Sequence, residues 1–348
     1  MNSELRFIKP QRLKRGDTVA AISLSYGLAA LVPHRYQAGK RQIEETFGVK
    51  VVETPNALRE PDWLYRNPRA RADDLHWALE NPDIQTIFST IGGEESVRIL
   101  PYVDLDIIRS HPKIMMGFSD ATTILNTFVR AGVVSFYGPS VLCDLAENCG
   151  IRQFVKRSVM RALFNARPFD LEAAQDWTEE SLDWRQPDNQ SRAREFVPSE
   201  GWVWLQGDSP VSGRLVGGCM DVLEFLKGTP WWIPNELWNG AIFFTETSEA
   251  VPPPDLVGRW LRNYGSQGIL ERICGVLLAR SIRYSQQMTQ QLYAEVRRVL
   301  AEFGRKDMPV IANMDFGHTS PQMVLPIGCR AIIDPERKRL SVLESAVT

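Results

Sequence analysis

The first residue whose setting suggests chemistry is Ser119, in the stretch KIMMGFSDATTILNTF of residues 113–128. Mostly apolar residues typical of a buried strand lead into this serine, and a helix-like pattern begins directly after it. Small residues, Gly117 and Ala121, stand two positions before and after it, as the tight turn of a nucleophile elbow requires. The N–H groups that open the helix would suit an oxyanion. Ser119 and Asp120 are also good helix N-caps, and that alternative stays open.

A general base for this serine must come from a short list, because the chain has only four histidines: His34, His76, His111 and His318. His318 is the only one in the C-terminal half, in a turn that follows the strand-like stretch VIANM. Imidazole also serves structural roles, so a loop or core histidine remains an alternative.

A carboxylate that could orient the imidazole is Glu246, which follows four apolar residues at the end of a predicted strand, AIFFTETSEA. Glu249 is a competing candidate that the spacing does not exclude. A solvated acid at a strand end is the commoner case for either residue.

A glycine-rich loop, STIGGEES, follows another predicted strand. Gly92 and Gly93 leave backbone N–H groups free to point at a ligand, so this loop could donate a second hydrogen bond to an oxyanion. The neighbouring acids, Glu94 and Glu95, make it a poor phosphate cradle. A plain turn is equally compatible with the sequence.

The composition excludes several classes of function. The chain of 348 residues carries a net charge of −2 and a pI near 6.2, which gives no electrostatic basis for binding nucleic acid or an anionic membrane. Its five cysteines are scattered and form no Cys-x-x-Cys pair, so neither a disulfide framework nor a zinc site is expected. The N-terminal residues lack the apolar core of a secretory signal, and we therefore expect a cytoplasmic protein.

The elements that must position these residues alternate between strand and helix in the first third of the chain. Predicted strands cover Thr18–Ser23, Lys50–Thr54, Thr86–Thr90 and Lys113–Met116, and predicted helices cover His34–Gly48 and Asn67–Asp83. This alternation predicts a parallel sheet covered on both faces, with ligands beyond the carboxyl ends of the strands.

The rest of the chain predicts a second, α+β domain. Residues 167–200 are polar, contain prolines and tryptophans, and indicate a linker with a long, partly ordered loop. Strand-like pieces follow, interrupted by a helix at Ser285–Gly304. We therefore predict an N-terminal α/β domain at 1–166, a linker at 167–200 and a β-rich domain at 201–348.

Three stretches, MGFSDATTILN, IFFTETSEA and IANMDFGHTSPQMVLPIG, occur in the order found in the LD-carboxypeptidase family of serine peptidases, which the chain resembles over most of its length. The resemblance implies a Ser–Glu–His triad of Ser119, Glu246 and His318. It also implies oxyanion donors from the backbone of Asp120 and of the Gly92–Gly93 loop.

The same resemblance implies a fold and an assembly. The N-terminal domain would be a flavodoxin/Rossmann-like parallel sheet, and the C-terminal domain would be β-rich and similar to a swivelling barrel. Homodimers are expected, with no metal and no cofactor.

Two branches of the family give two substrate hypotheses. One branch trims muropeptides, and the other resembles the microcin C self-immunity carboxypeptidases, which cut the amide between an aminoacyl or peptidyl group and a nucleotide. The TIGGEES loop, the TETSE motif and the additional Trp-containing segment favour the second branch. A non-catalytic protein that binds its ligand in the same cleft is a third, weaker hypothesis.

Three residues are predicted to contact this substrate. Trp184 could stack on an adenine, although ordinary loop packing would equally explain a tryptophan there. Glu94 follows the glycine pair. Cys219 stands where the family is expected to have asparagine, which indicates an altered ligand preference.

Overall fold

The computed structural model describes residues 6–348. The first five residues of the predicted N-terminal domain, which belong to the segment expected to lack a signal, lie outside the described part. The strands are β1 Thr18–Ile22, β2 Lys50–Glu53, β3 Ile84–Ser89, β4 Ile114–Gly117, β5 Ser135–Tyr137, β6 Phe169–Leu171, β7 Asp176–Trp177, β8 Val197–Pro198, β9 Val203–Gln206, β10 Val211–Cys219, β11 Ile242–Glu246, β12 Gly275–Ala279, β13 Val310–Met314, β14 Leu325–Ile327, β15 Arg330–Asp334 and β16 Arg339–Val342. The α-helices are α1 Leu28–Leu31, α2 Pro33–Phe47, α3 Pro61–Arg66, α4 Pro68–Glu80, α5 Leu105–Ser110, α6 Thr122–Arg130, α7 Gln153–Val159, α8 Met220–Leu226, α9 Pro254–Ser266, α10 Ile269–Arg272 and α11 Gln286–Glu302.

The first sheet has the strand order β14-β5-β4-β3-β1-β2. Strands β1 to β5 pair in parallel, and β14 joins antiparallel to β5. The residues of β4 are all buried, which explains why the sequence there is a continuous apolar run rather than an alternating one. The predicted parallel sheet of the first third is confirmed, and the loops after β3 and β4 leave the same sheet edge.

The second sheet has the order β6-β16-β15-β10-β11-β12-β13-β9. Its four central strands, β10 to β13, are parallel, and the strands on either side pair antiparallel. The predicted β-rich C-terminal region is therefore confirmed. The described pairing runs in one linear order, with β6 and β9 at its ends.

Helix α6 packs between the two sheets. Its residues from Thr122 to Val129 are all buried, and it contacts β4 and β5 on one side and β10 and α8 on the other. A Cβ on Gly218 would overlap the Thr122 side chain, so this glycine allows β10 to approach α6 closely. The Asn126 side chain also donates to the carbonyl of Gly217 at 3.1 Å. These contacts fix the start of α6, and the serine before it, at the junction of the sheets.

The segment 167–200 contains three short strands, β6, β7 and β8. Strand β6 is an edge strand of the second sheet, where it pairs with β16, and β7 and β8 form a separate two-stranded ladder. Strand β14 comes from the C-terminal part of the chain but completes the first sheet. The domain boundaries at 166 and 200 stay a prediction, and strand pairing crosses both of them.

Within residues 6–348, no helix combines the length and the apolar content that crossing a membrane requires. The cytoplasmic location stays a prediction.

Candidate active site

Ser119 lies at a sharp corner between β4 and α6. Its φ angle is +57°, a left-handed conformation that non-glycine residues rarely adopt. A Cβ on Gly117 would stand 2.9 Å from the Cβ atoms of both Ala121 and Ser89, so the turn has no room for a side chain there. The N-cap positions of this turn and of α6 are Phe118 and Ala121 rather than Ser119. Its Oγ lies 3.1 Å from Nε2 of His318, so the corner presents the hydroxyl to an imidazole.

His318 is held by the turn that follows β13. Asp315, fully buried at the start of this turn, forms an ion pair with Arg280 at 2.9 Å. Its other carboxylate oxygen accepts hydrogen bonds from the indole N–H of Trp202 and from the backbone N–H of Ala174. The Phe118 ring packs edge-on against the imidazole, with 5.2 Å between ring centroids. The histidine therefore has a fixed position relative to the serine corner.

Glu246, the last residue of β11, orients the imidazole from the buried side. Its Oε2 lies 2.6 Å from Nδ1 of His318, and its carboxylate is fully buried. Gly317, with a φ of +88°, passes so close to this carboxylate that a Cβ would overlap it. The glycine before the histidine is thus required by the close approach of the two residues.

Tyr137, at the end of β5, is a site residue that the sequence analysis missed. Its hydroxyl donates to Oε1 of Glu246 at 2.5 Å and accepts the backbone N–H of Ser119 at 3.2 Å. Burial, together with the nearby Glu246, raises the pKa of Tyr137 well above its usual range, so the phenol keeps the proton that it donates. The only sequence signal was an aromatic residue at the end of an apolar strand, which is too common to indicate a function.

Glu249 approaches the same imidazole from the solvent side. Its Oε2 lies 2.7 Å from Nε2 of His318, and its side chain is 63% exposed. The question left open by the spacing therefore has a geometric answer: Glu246 contacts Nδ1 and Glu249 contacts Nε2. The two carboxylates occupy different sides of one ring.

The pKa values of these groups follow from this arrangement. Burial alone would lower the pKa of His318, but the adjacent Glu246 and Glu249 carboxylates outweigh it and raise the value to about 10. The hydrogen bond from His318 lowers the pKa of Glu249 to about 2, against a smaller opposing effect of burial. The imidazole is thus held in its cationic form when both carboxylates contact it.

The glycine loop after β3 lies directly against the serine corner. A Cβ on Gly92 would stand 2.9 Å from the Ser119 Oγ and 3.2 Å from the backbone nitrogen of Asp120. The Gly92 carbonyl accepts a hydrogen bond from Tyr26, and Gly93 has a φ of +144°, which favours glycine. The Gly92–Gly93 backbone is therefore next to the nucleophile candidate.

The side chain of Asp120 joins this loop to the corner. Its Oδ2 accepts the backbone N–H groups of Glu95 and Ser96 at 2.9 and 2.8 Å, and the Ser96 hydroxyl donates to the Asp120 carbonyl. The Asp120 side chain thus holds the loop in place. The predicted oxyanion donor is a different group of the same residue, its backbone N–H.

A cavity of about 340 Å³ opens in front of these groups. Its lining includes Ser119, His318, Glu249, the glycine pair and Trp184. The guanidinium of Arg35 stacks on the Trp184 ring, 4.1 Å from its centroid. A larger surface concavity of about 640 Å³ contains none of the predicted site residues.

Two predicted substrate contacts do not line this cavity. Glu94 is exposed on the glycine loop and is not among the lining residues, and Cys219 is fully buried. The Cys219 backbone N–H donates to the Thr122 hydroxyl at 3.0 Å, so its position reflects the packing of β10 against α6. Neither residue lines the cavity in this structure, and both substrate contacts stay predictions.

Among the described residues, one group of three side chains could offer ligands to a metal. Potential ligand atoms of Cys219, Glu246 and His318 lie within 4.8 Å of one another. A cysteine binds metal as a thiolate, whereas burial raises the pKa of the Cys219 thiol well above its usual range. Glu246 and His318 also already bond to each other, so this trio is poorly suited to a resident metal.

Comparison with known protein families agrees with this geometry. Residues 19–138 match the LD-carboxypeptidase N-terminal domain, and residues 212–333 match the LD-carboxypeptidase C-terminal domain. The chain belongs to the LD-carboxypeptidase family. It is therefore a hydrolase of the serine peptidase class, as the resemblance implied.

Several members of the LD-carboxypeptidase family match this chain along nearly its whole length at low identity. The microcin C7 self-immunity protein MccF of Escherichia coli is 26% identical, covering 94% of each chain. A Bacillus subtilis protein named "Probable murein peptide carboxypeptidase" is also 26% identical, covering 98% of this chain and 95% of its own. The structure of MccF in complex with aspartyl sulfamoyl adenosine superimposes with a TM-score of 0.86 at 25% identity, covering 98% of this chain and all of MccF.

Proposed function

We propose that this carboxypeptidase homologue hydrolyses the amide bond between an aminoacyl or peptidyl group and a nucleotide. The observation that carries the proposal is the hydrogen-bonded series Ser119 Oγ, His318 and Glu246 at the mouth of a cavity that also contains Trp184. Cutting such a bond would detoxify a compound of the microcin C type.

In this mechanism Ser119 attacks the carbonyl carbon while Nε2 of His318 takes the hydroxyl proton. Glu246 accepts the Nδ1–H bond, which fixes the ring and stabilises the imidazolium that forms. His318 then gives its proton to the departing nitrogen on the nucleotide side. Water, activated by the same imidazole, hydrolyses the acyl-enzyme.

The tetrahedral oxyanion would be stabilised by backbone N–H groups of Asp120 and Gly93, with Gly92 bringing the loop close. The N–H of Ser119 is not available for this role, because it already donates to the Tyr137 hydroxyl. The nearness of Gly92 to the Asp120 nitrogen supports this assignment.

The nucleotide part of the substrate would lie against Trp184. Arg35 covers one face of this ring, and Trp184 lines the cavity in front of Ser119. Stacking of a base on an aromatic side chain is worth about 1–3 kcal/mol. The complex of MccF with aspartyl sulfamoyl adenosine supports this choice of ligand class.

The test is a mass-spectrometric hydrolysis assay of aminoacyl-sulfamoyl adenosines with purified protein. We expect wild type to release the amino acid, and Ser119→Ala to lose at least about 10³-fold in kcat while retaining its melting temperature. Undiminished turnover by this variant would remove the nucleophile assignment. Ligand capture without product by wild type would favour the binding-protein hypothesis instead.

Cleavage of a murein tetrapeptide is the second candidate, favoured by the end-to-end similarity to the Bacillus subtilis murein peptide relative. The same assay should include a murein tetrapeptide at equal concentration. A higher kcat/KM for the tetrapeptide would overturn the nucleotide proposal and leave the triad assignment intact.

We also propose that the protein is a homodimer, as the family resemblance implies. Light scattering coupled to size-exclusion chromatography should give twice the 39.5 kDa mass of one chain. A mass of one chain at micromolar concentration would contradict this proposal.

A further inference from the structure

Nε2 of His318 has two acceptors within reach but only one hydrogen to donate. The Glu249 Oε2 lies at 2.7 Å and the Ser119 Oγ at 3.1 Å. A carboxylate is the stronger acceptor, because hydrogen bonds to an ionised partner are shorter and stronger than those to a hydroxyl. In the unliganded protein the Nε2 proton therefore belongs to the bond with Glu249, and Ser119 has no free base.

The backbone beside Glu249 is anchored, whereas its side chain is free to change partners. Ser248 donates to Asp221 through both its N–H and its hydroxyl, at 3.1 and 2.8 Å. The Glu249 side chain itself is 63% exposed and lines the cavity next to Ser119. The backbone position of Glu249 is therefore fixed, whereas a ligand could replace the contact of its carboxylate with His318.

Other charged groups around this carboxylate do not take over its role. Arg283 is near enough to lower the pKa of Glu249, but its guanidinium forms no hydrogen bond or ion pair with the described residues. Arg35 and Arg194 line the cavity as well, yet Arg35 is bonded to Leu142, Asn148 and Gln190, and Arg194 to Glu147. Glu246 and Cys219 are buried on the opposite side of His318. Asp144, Glu179 and Glu180 also line the cavity, but among these acids Glu249 is the one whose carboxylate lies within hydrogen-bonding distance of His318.

We propose that Glu249 binds the free α-ammonium group of an aminoacyl substrate, and so selects aminoacyl over N-acylated, peptidyl substrates. This inference rests on the proposed function. The α-nitrogen of an aminoacyl group is attached to the carbon next to the carbonyl that Ser119 attacks. With that carbonyl at Ser119, an α-ammonium directed toward His318 would meet the Glu249 carboxylate, which lies 2.7 Å from Nε2.

Binding of the ammonium also prepares the base. When Glu249 turns to the substrate, Nε2 of His318 loses its anionic acceptor and the ammonium brings a positive charge nearby. Both changes lower the pKa of the imidazole against the remaining effect of Glu246, so the Nε2 proton passes to water more readily. The neutral nitrogen then accepts the hydrogen bond of Ser119. An N-acylated substrate carries no charge at this position, so it leaves Glu249 on His318 and the base protonated.

The first test compares alanyl-sulfamoyl adenosine with its N-acetyl derivative in wild type and Glu249→Gln. We expect wild type to favour the free amine by about 10- to 100-fold in kcat/KM, as one hydrogen-bonded charge pair allows. Glu249→Gln should lose this preference, through a higher KM for the free amine and a higher kcat/KM for the acetylated compound. Glu45→Gln, which removes an exposed carboxylate outside the cavity, should retain the wild-type ratio.

An equal preference in wild type and Glu249→Gln, with turnover still present, overturns the inference and leaves the proposed hydrolase intact. A second readout does not depend on turnover or on the nucleotide. The four histidines make ¹⁵N-imidazole NMR practical, with alanine amide and N-acetylalanine amide as probes. Alanine amide alone should lower the titration midpoint of His318 in wild type and have no effect in Glu249→Gln. Identical responses to both probes would reject the proposal even if the adenosine compounds are not substrates.

Discussion

The two sides of the His318 ring differ in how firmly the protein holds them. At Nδ1, Glu246 is fully buried, bonded to Tyr137 and packed under Gly317. At Nε2, Glu249 reaches the ring from an exposed position and shares it with the Ser119 hydroxyl. On the buried side these contacts fix the position of the carboxylate, whereas on the cavity side two groups, the Glu249 carboxylate and the Ser119 hydroxyl, compete for Nε2. This difference separates orientation of the base, which must be constant, from its protonation, which must change during each turnover.

Among the changes that test this difference, Glu246→Gln is expected to cause the largest loss of activity. An amide in place of the carboxylate removes the anion that stabilises the imidazolium and can present its NH₂ group to Nδ1, which favours the wrong tautomer. By analogy with serine-peptidase triads, kcat should fall by up to about 10⁴-fold. Steady-state hydrolysis of an aminoacyl-sulfamoyl adenosine measures this. A loss as small as that of an exposed variant would show that the buried side does not orient the base.

The next largest effect is expected in the pH dependence of kcat/KM of the wild type. The pKa of His318 is raised to about 10, so the imidazole is cationic at neutral pH and must lose a proton before it can act as a base. With an N-acetylated substrate, which has no amine to titrate, kcat/KM should therefore rise about tenfold per pH unit from pH 6 to pH 8. Glu249→Gln removes one of the two anions and should shift this rise in kcat/KM to lower pH. A rise in kcat/KM with its midpoint near pH 6.5 in the wild type would contradict the conclusion that the two carboxylates raise the pKa of His318.

The sequence alone predicted the parts of this site that depend on local pattern. The serine corner follows from an apolar strand, small residues around Ser119 and a helix start, all of which lie within ten residues. The predicted strand Lys113–Met116 is β4, Ile114–Gly117, and the predicted helix His34–Gly48 is α2, Pro33–Phe47. Strand and helix periodicity is a short-range property, so a single sequence contains it.

The contacts between distant segments were not predictable in this way. The residues near Glu246 and Glu249 in the sequence do not indicate which nitrogen of His318 each carboxylate contacts. That depends on the packing of the loops after β11 and β13. Tyr137 joins the two sheets through one hydroxyl, and its partners are 18 and 109 residues away. The burial of Cys219 likewise follows from the contact of β10 with α6. Family resemblance supplied the triad as a set, and the geometry distinguishes the two candidate carboxylates, with Glu246 at Nδ1 and Glu249 at Nε2 of His318.

Tyr137→Phe sharpens the comparison by weakening the buried side without removing a charge. The substitution deletes the bond to Glu246 and the acceptor of the Ser119 N–H, so both triad partners lose part of their support. We expect a decrease in kcat of about tenfold and a loss of about 1–3 kcal/mol in the free energy of unfolding, since one buried hydrogen-bonding group is left unpaired. Kinetics and chemical denaturation measure the two effects. Full activity with unchanged stability would mean that Glu246 needs no support beyond Gly317.

Glu249→Gln gives the smallest expected effect on stability, and this is where the two sides should differ most clearly. The raised pKa of His318 stabilises the folded state fully only below its unfolded value, and this contribution disappears as the pH rises toward 10. The lowered pKa of Glu249 contributes above its unfolded value and is lost as the pH falls toward 2. The side chain is 63% exposed, so solvent screens its bond to His318 and the net change at pH 7 should stay below about 0.5 kcal/mol. Chemical denaturation beside Tyr137→Phe tests this, and an equal loss in both variants would show that the cavity side is held as firmly as the buried one.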